Sequence, residues 1–374
     1  MKLCIATHKF VKGDGQGRVN YEVVQEALRR GAHVTLLASS IDPDLAQHNL
    51  IRWIPISVKG SPTQLLQNMV FSWKCAQWLK LYRHEFDVLQ VNGAITSFPS
   101  DVNAVHFVHS AWLKSPAHPA HQFRNHYGLY QWLYTRLNAE WEKQAFQQSK
   151  VMIAVSDKVK RELIEIGVPE GKIRVILNGV DLQEFCPGEG DRISLNLPER
   201  VPLALFIGDI KSNRKNLDTV LQALVKVPKL HLAVVGNTEG SPYPQLVAQL
   251  ELSTRVHFLG FRHDVAVIMK SADFFVFPSR YEPFGMVISE AMATGLPIIT
   301  SVNVGAADLV NADSGIVISD LNDVAAIAQA MKTLSNNLGL QHWMGQAARA
   351  VAQQHSWESK AKAYLAVFEG IAQI

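Results

Sequence analysis

Cysteine is scarce. Cys4, Cys75 and Cys186 are the three in 374 residues, an odd number, widely spaced and without a CxxC pair. That pattern excludes a disulfide framework and a structural zinc site, and it fits a reducing cytoplasm. Long hydrophobic runs are missing too: none approaches the ~18 apolar residues of a membrane-spanning helix. The strand-like stretch at residues 3–6 is too short for the core of a signal peptide. A cytoplasmic protein with at most peripheral membrane contact is therefore expected. Charge of one sign is also lacking. With 36 Lys/Arg and 33 Asp/Glu the net charge is +3, too little to imply nucleic acid. The small excess is uneven: residues 1–150 hold 16 Lys/Arg against 10 Asp/Glu, so the remainder is slightly acidic.

What the chain does have is length and alternation. At 374 residues and 48% hydrophobic content it can bury two cores. Short apolar runs of buried parallel-strand type recur at 2–6, 34–38, 88–91, 104–108, 151–155 and 173–176. A second series follows at 203–207, 230–235, 256–259, 273–277, 298–300 and 315–318. Between the first two runs, Val19, Val23, Val24, Ala27 and Leu28 lie on one face of a helix ending at Gly31. Two such series predict two facing, Rossmann-like, doubly wound α/β domains. The boundary is expected within 182–202, where Pro187, Gly188, Gly190 and Pro198 break all periodicity. The resulting division is 1–182, 203–355 and a closing helix in 356–374. That helix carries Trp357, Ala361, Tyr364, Leu365 and Phe368 on one stripe, so it must dock on something.

The densest chemistry lies between Glu282 and Glu290. The run 274–277 reads as a buried strand closed by Pro278, and Gly285 breaks a short loop. The segment 287–294 then reads as a helix stopped by Gly295 and Pro297. A strand, a glycine loop and a helix N-terminus form an anion site, because the first helical N–H groups lack partners. With an acid at either end, the segment suits a ligand with phosphate in the middle and hydroxyls on both sides, such as a nucleotide sugar. Arg214 and Lys215 follow the first strand of the second series and open another helix, placed to neutralise phosphate charge.

These stretches resemble glycosyltransferase family 4, whose fold is GT-B. The match runs from Pro278 to Gly285 and from Glu290 to Pro297, supported by Val155-Ser156 with Lys158, Asn178-Gly179-Val180-Asp181, Arg214-Lys215-Asn216, Phe258-Leu259-Gly260 and Trp357. The resemblance implies a retaining, metal-independent transfer of a sugar from a nucleotide-diphosphate sugar to an acceptor hydroxyl. It implies that the C-terminal helix crosses back to the N-terminal domain. It places Glu282 at the donor sugar's hydroxyls and Glu290 at the ribose. It puts the backbone of Phe284, Gly285, Met286 and Val287 near the phosphates, with Gly208 and Arg280 as further donor-site positions. Arg214 and Lys215 would take the leaving group, with Lys211 as a weaker candidate, because Asp209 stands where the family usually has an arginine after the Gly208 position. Gly15 is carried over from the family's N-terminal glycine loop, and His109 from a histidine that bonds a sugar hydroxyl. His106 is its rival.

Other readings fit the residues less well. The loop 13–18 does not match GxGxxG, and the second strand ends Ala38-Ser39-Ser40 without the acid an NAD site requires. Retaining or inverting hydrolysis needs carboxyls within ~5–9.5 Å. Eight helical positions would span ~12 Å, which argues against Glu282 and Glu290 as such a pair. His106, His109, His118, His121 and His126 crowd one stretch, yet their spacing is irregular and no acid or cysteine joins them, so no metal site is expected. Asp42-Pro43-Asp44 reads as a turn. Residues 112–143 interleave Lys114, Arg124, Arg136 and Lys143 with Phe123, Tyr127, Tyr130, Trp132, Tyr134 and Trp141, a pattern suited to an anionic membrane surface, an acceptor groove or plain packing. The expected partners are a nucleotide-diphosphate sugar and a carbohydrate or glycolipid acceptor, with no cofactor or metal. A sugar-nucleotide hydrolase or epimerase, or a noncatalytic nucleotide-sugar-binding protein, remains the alternative.

Overall fold

The computed structural model describes residues 1–373. Two compact units divide the chain. The first comprises Met1–Lys114, His118–Gly179 and the C-terminal segment from Trp357, and the second is built on Val180–Ser356.

The first unit is a seven-stranded parallel sheet. Its strands are β1 (Lys2–Ala6), β2 (His33–Ala38), β3 (Ile51–Pro55), β4 (Val88–Asn92), β5 (Val102–Val105), β6 (Val151–Ala154) and β7 (Ile173–Val175), in spatial order β3-β2-β1-β4-β5-β6-β7. β1 pairs on one side with β2 (Leu3 opposite Val34) and on the other with β4 (Leu3 opposite Val88). The second unit has six parallel strands: β8 (Leu203–Ile207), β9 (His231–Val235), β10 (Val256–Gly260), β11 (Phe274–Phe277), β12 (Ile298–Ser301) and β13 (Gly315–Ile318), ordered β10-β9-β8-β11-β12-β13. Both are doubly wound sheets in which the order reverses beside the first strand, between β1 and β4 and between β8 and β11. Helices cover both faces of such sheets, so the strands are buried throughout and read as continuous apolar runs. Phe274, Phe275, Val276 and Phe277 are 0–1% exposed.

Two strands differ from expectation for physical reasons. β3 was not anticipated, because Ile51-Arg52-Trp53-Ile54-Pro55 is a half-exposed edge strand ending in proline. β5 lies two to three residues earlier than the expected 104–108. It contains Asn103, buried with its amide bonded to Gly93 (Oδ1 accepting from N–H at 2.7 Å, Nδ2 donating to O at 3.0 Å). A polar residue inside a core strand hides that strand from any search for apolar runs.

The change of unit falls at Gly179–Val180, ahead of the stretch 182–202. That stretch is not a free linker. Val180 N–H donates to His355 O at 3.0 Å. Arg349 donates to Phe185 O and Ala293 O at 2.9 and 2.6 Å, and Arg192 to Ser271 O and Asp273 Oδ1, both at 2.7 Å. The prolines and glycines break secondary structure without freeing the backbone.

Helix α1 (Gly15–Arg29) follows β1, α2 (Gln64–Tyr82) follows β3, and α3 (His126–Gln148) precedes β6. In the second unit α4 (Leu217–Val225) follows β8 and α5 (Met286–Thr294) follows β11. The closing helix α6 (Trp357–Ala372) packs along α1. Its stripe of Trp357, Ala361, Tyr364, Leu365 and Phe368 is buried, Arg18 lies 5.6 Å from the Trp357 ring, and Arg30 pairs with Glu369 at 2.8 Å. Cys4, Cys75 and Cys186 are free thiols, and burial pushes Cys75 up to about 12, so it is an inert core residue. Among the described residues no helix is long and apolar enough to cross a membrane.

Candidate functional site

In an open doubly wound sheet the loops at the carboxyl ends of the strands diverge where the strand order reverses, leaving a crevice there. In the second unit those are the loops after β8 and β11. They carry Lys215 and Glu282.

After β8 the chain passes Gly208 and exposed Asp209, whose Oδ1 accepts from Lys211 N–H at 3.0 Å. A 3₁₀ turn over Asn213–Lys215 then ends at Asn216, which is fully buried and left-handed at φ +65°. Asparagine tolerates that conformation because its short amide bonds locally. Here only Oδ1 bonds locally, accepting from Thr219 Oγ1 at 2.6 Å, while Nδ2 reaches distant loops, donating to Pro278 O at 3.0 Å and Leu321 O at 2.9 Å. The turn aims Lys215 back under the loop. Its side chain is buried, Nζ stands 5.1 Å over the Phe277 ring and forms an ion pair with Glu282. A Cβ at Gly208 would meet Lys215 Cγ at 3.2 Å, so that glycine makes room for the lysine stem. Burial pulls the Lys215 ammonium down from its ordinary pKa, and the Glu282 carboxylate opposes that pull.

Glu282 is held by its backbone, N–H to Asn303 O at 3.2 Å and O to Gly305 N–H at 3.0 Å. Phe284 is buried, and its carbonyl accepts from Ala306 N–H at 2.7 Å. Gly285, at φ +97°, starts α5, and a Cβ there would lie 2.9 Å from Val304 Cγ1, so only glycine fits. Met286 and Val287 form the first turn of α5, half-buried, where backbone N–H groups have no helical acceptor. Glu290 is half-buried one turn further on.

Arg280 is engaged within the unit itself. Its guanidinium is bidentate to Asp218 at 2.7 and 2.8 Å and also donates to Asn213 O at 2.7 Å and Thr219 Oγ1 at 3.1 Å. Its N–H donates to Arg214 O at 2.8 Å, and Ser279 Oγ to the same oxygen at 3.0 Å. Arg280 thus ties the loop after β11 to the loop after β8 and fixes where half-buried Arg214 and Lys215 sit. Asp218 and Asn303 were not singled out from sequence, although Asp218 in the first turn of α4 has the signature of an N-terminal helix acid.

The first unit places its own crevice at the corresponding point, beside the loops after β1 and β4. A cavity of about 550 Å³ opens there. His109 lines it and is oriented by Glu142 of α3. The carboxylate accepts from the His109 backbone N–H at 2.8 Å and binds Nδ1 at 2.6 Å. Glu142 is 33 residues away with no local signal, so sequence reasoning passed over it. Gly15 is the first residue of α1, and Asp14 caps that helix, Oδ2 accepting from Gly17 N–H at 2.8 Å. His106 also lines the cavity, and burial lowers its imidazole to about 4. The five histidines do not converge. His118 caps a short helix through Ala120 N–H and bonds Thr135, and His121 Nε2 lies 3.3 Å from Leu113 O. Among the described residues no group of three His, Cys, Asp or Glu is placed to hold a metal ion. Asp42 caps the turn Pro43–Ala46 through Asp44 N–H. In α3 the aromatic stretch is only partly packed: Tyr127, Leu129, Trp132 and Leu133 are 44–65% exposed.

Two family models match in succession, Glycosyltransferase Family 4 over residues 13–184 and Glycosyl transferases group 1 over residues 189–351. The chain belongs to the family 4 glycosyltransferases. Its fold class is GT-B, two Rossmann-like α/β domains in one chain. Among similar curated proteins, an uncharacterized glycosyltransferase of Methanocaldococcus jannaschii is 30% identical over 237 residues, 59% of this chain and 60% of that protein. A D-inositol 3-phosphate glycosyltransferase of Mycobacterium marinum is 32% identical over 243 residues, 61% of this chain and 51% of that protein. The match thus spans between half and two thirds of these relatives' length. Among solved structures, sucrose-phosphate synthase from Thermosynechococcus elongatus superposes at TM-score 0.81 with 21% identity, covering 99% of this chain and 98% of that one. WaaG, a glycosyltransferase involved in lipopolysaccharide biosynthesis, superposes at 0.76 with 21% identity over 98% and 100%. HepE from Anabaena, solved with UDP-glucose, gives 0.73 with 19% identity over the full length of both.

Proposed function

We propose that this family member is a retaining glycosyltransferase that moves a sugar from a nucleotide-diphosphate donor to an acceptor hydroxyl without a metal ion. One observation carries the reading: a buried Lys215–Glu282 ion pair at the strand-order reversal, next to the glycine-led N-terminus of α5. A diphosphate leaving group needs positive charge as its bond to the sugar breaks, and a preorganised cation in a water-poor site supplies it at little reorganisation cost. Lys215 takes that role, with Arg214 beside it and the Met286 and Val287 amides completing the anion site. Glu282 bonds hydroxyls of the donor sugar and holds Lys215 charged against desolvation. Glu290 takes the ribose hydroxyls. Arg280 is a positioning residue, since its donors are taken up by Asp218, Asn213 and Thr219. Gly208 and Phe284 shape the donor site through their backbones. In the first unit His109, fixed by Glu142, is a hydrogen-bond donor to a sugar hydroxyl, and Gly15 lies at the N-terminus of α1.

UDP in neighbouring structures makes it the first nucleotide to try, and lipopolysaccharide, polysaccharide or glycolipid assembly is the context we favour. The exposed Tyr127, Leu129, Trp132 and Leu133, with Arg124 and Arg136 nearby in sequence, support peripheral contact with anionic lipid. Co-sedimentation with phosphatidylglycerol vesicles, lost in a Trp132→Ala/Leu133→Ala variant, checks that contact. The function itself is tested by thermal shift with UDP, GDP, ADP and their sugars. At least one should raise the melting temperature of the wild type and leave Lys215→Ala unmoved. Stabilisation by none of them would refute the donor assignment. Donor turnover independent of any acceptor would favour a hydrolase.

A further inference from the structure

The cavity in the first unit is chemically unlike the donor site. Its wall contains no lysine or arginine, and its one carboxylate, Glu142, is occupied by His109. The α1 N-terminus beside it, at Gln16, would ordinarily favour an anion, but Asp14 already places a carboxylate on that helix end. Asn92 is 6% exposed and lines the cavity, yet neither atom of its side-chain amide has a hydrogen-bond partner in the protein. His106 Nε2 is inaccessible and equally unpartnered. Buried polar atoms are nearly always bonded, and leaving one unsatisfied costs about 1–3 kcal/mol. Both lie behind the cavity surface and keep that wall polar but uncharged. Burial lowers His106, and His8 on the same wall, to about 4, so both rings are neutral at neutral pH. Trp73, 62% exposed, and Trp141 add flat apolar faces. Neutral donors and acceptors beside aromatic faces match a sugar ring, which is apolar on its C–H face and hydroxylated at its edge.

We infer that this cavity takes an uncharged saccharide or polyol and discriminates against phosphorylated ones, with the exposed Trp73 face as its stacking contact. The inference rests on the glycosyltransferase reading for the ligand's role as acceptor, while its chemistry comes from the cavity alone. A phosphate dianion here would lose its hydration without meeting any cation, so the site rejects it by leaving charge unpaired.

The test is intrinsic tryptophan fluorescence, confirmed by calorimetry, on the full chain. Probes are D-glucose, D-galactose, D-mannose, N-acetylglucosamine, maltose and myo-inositol, each against its monophosphate. At least one neutral probe should bind, with its phosphate ester weaker by about tenfold or more, the equivalent of one lost hydrogen bond or greater. Surface variant Trp73→Ala, whose exposed position does not threaten folding, should weaken the neutral probe by about tenfold. A phosphate ester that binds as well as its parent overturns the inference, as does failure of every probe. UDP, GDP and ADP are titrated in the same samples. A nucleotide response without any saccharide response sinks the cavity assignment alone, whereas selective saccharide binding without any nucleotide response sinks the donor assignment alone.

Discussion

The two sheets have the same architecture and opposite chemistry. Each runs outward in the order third-second-first-fourth-fifth-sixth, and each presents its site where that order reverses. At that point the second unit buries a lysine against a glutamate and anchors the loop with an arginine–aspartate pair. The first unit lines a cavity with amides, neutral imidazoles and indoles. Backbone topology therefore decides where a ligand sits, and the side chains of two loops decide which kind. A charged, phosphate-bearing donor suits the second unit, and a neutral hydroxylated molecule suits the first.

The strongest way to break this contrast is to remove charge from the second unit. Lys215→Ala should lower donor turnover by about 10²–10³-fold, the loss typical of one preorganised electrostatic contact to a departing anion. Neutral saccharide binding in the first unit should persist, and steady-state kinetics alongside fluorescence titration would read both. Next in size, Arg280→Ala and Asp218→Ala should each cost about 2 kcal/mol in chemical denaturation, because each strands a half-buried partner. The double variant should cost much less than the sum, the signature of one shared interaction. Gly285→Ala should cost about 1–2 kcal/mol for its left-handed backbone, with more from the 2.9 Å approach to Val304. Its nucleotide response should fall with its melting temperature.

A smaller effect probes the first unit. Burial lowers His8 and His106 from 6.5 to about 4. Between those values the unfolded chain binds protons that the folded one refuses, so stability falls as pH drops. The stabilisation is complete above about pH 6.5 and is lost on descending through about pH 4. Melting curves across pH 7.5 to 4 should show that acid limb, and His106→Gln should flatten it. The smallest expected change is in Asn92→Leu without ligand: melting temperature unchanged or slightly raised, since an unsatisfied amide leaves the interior.

Much of the fold was legible in the sequence. Twelve apolar runs marked twelve of the thirteen strands of the two main sheets, one with shifted bounds, because parallel sheets covered on both faces need apolar residues. The stripe on Trp357–Ala372 located a docking helix for the same reason. Glu282, Gly285, Lys215 and Glu290 were expected from charge, glycine spacing and the family resemblance, and the structure pairs Lys215 with Glu282. What stayed hidden is non-local or polar. Asn103 disguises a core strand, Glu142 meets His109 across 33 residues, and Arg280 carries the look of a ligand-binding cation while spending its donors on Asp218. The cavity itself, assembled from loops and helices spread over residues 8–148, has no linear signature.

The central claim, that the buried Lys215–Glu282 pair receives a nucleotide diphosphate, is tested most directly by calorimetric titration of UDP, GDP and ADP into wild type and Lys215→Ala. The account predicts saturable binding of at least one nucleotide to the wild type, weakened by about 100-fold or more in the variant. Absence of binding by all three, or equal affinity in both proteins, would contradict it.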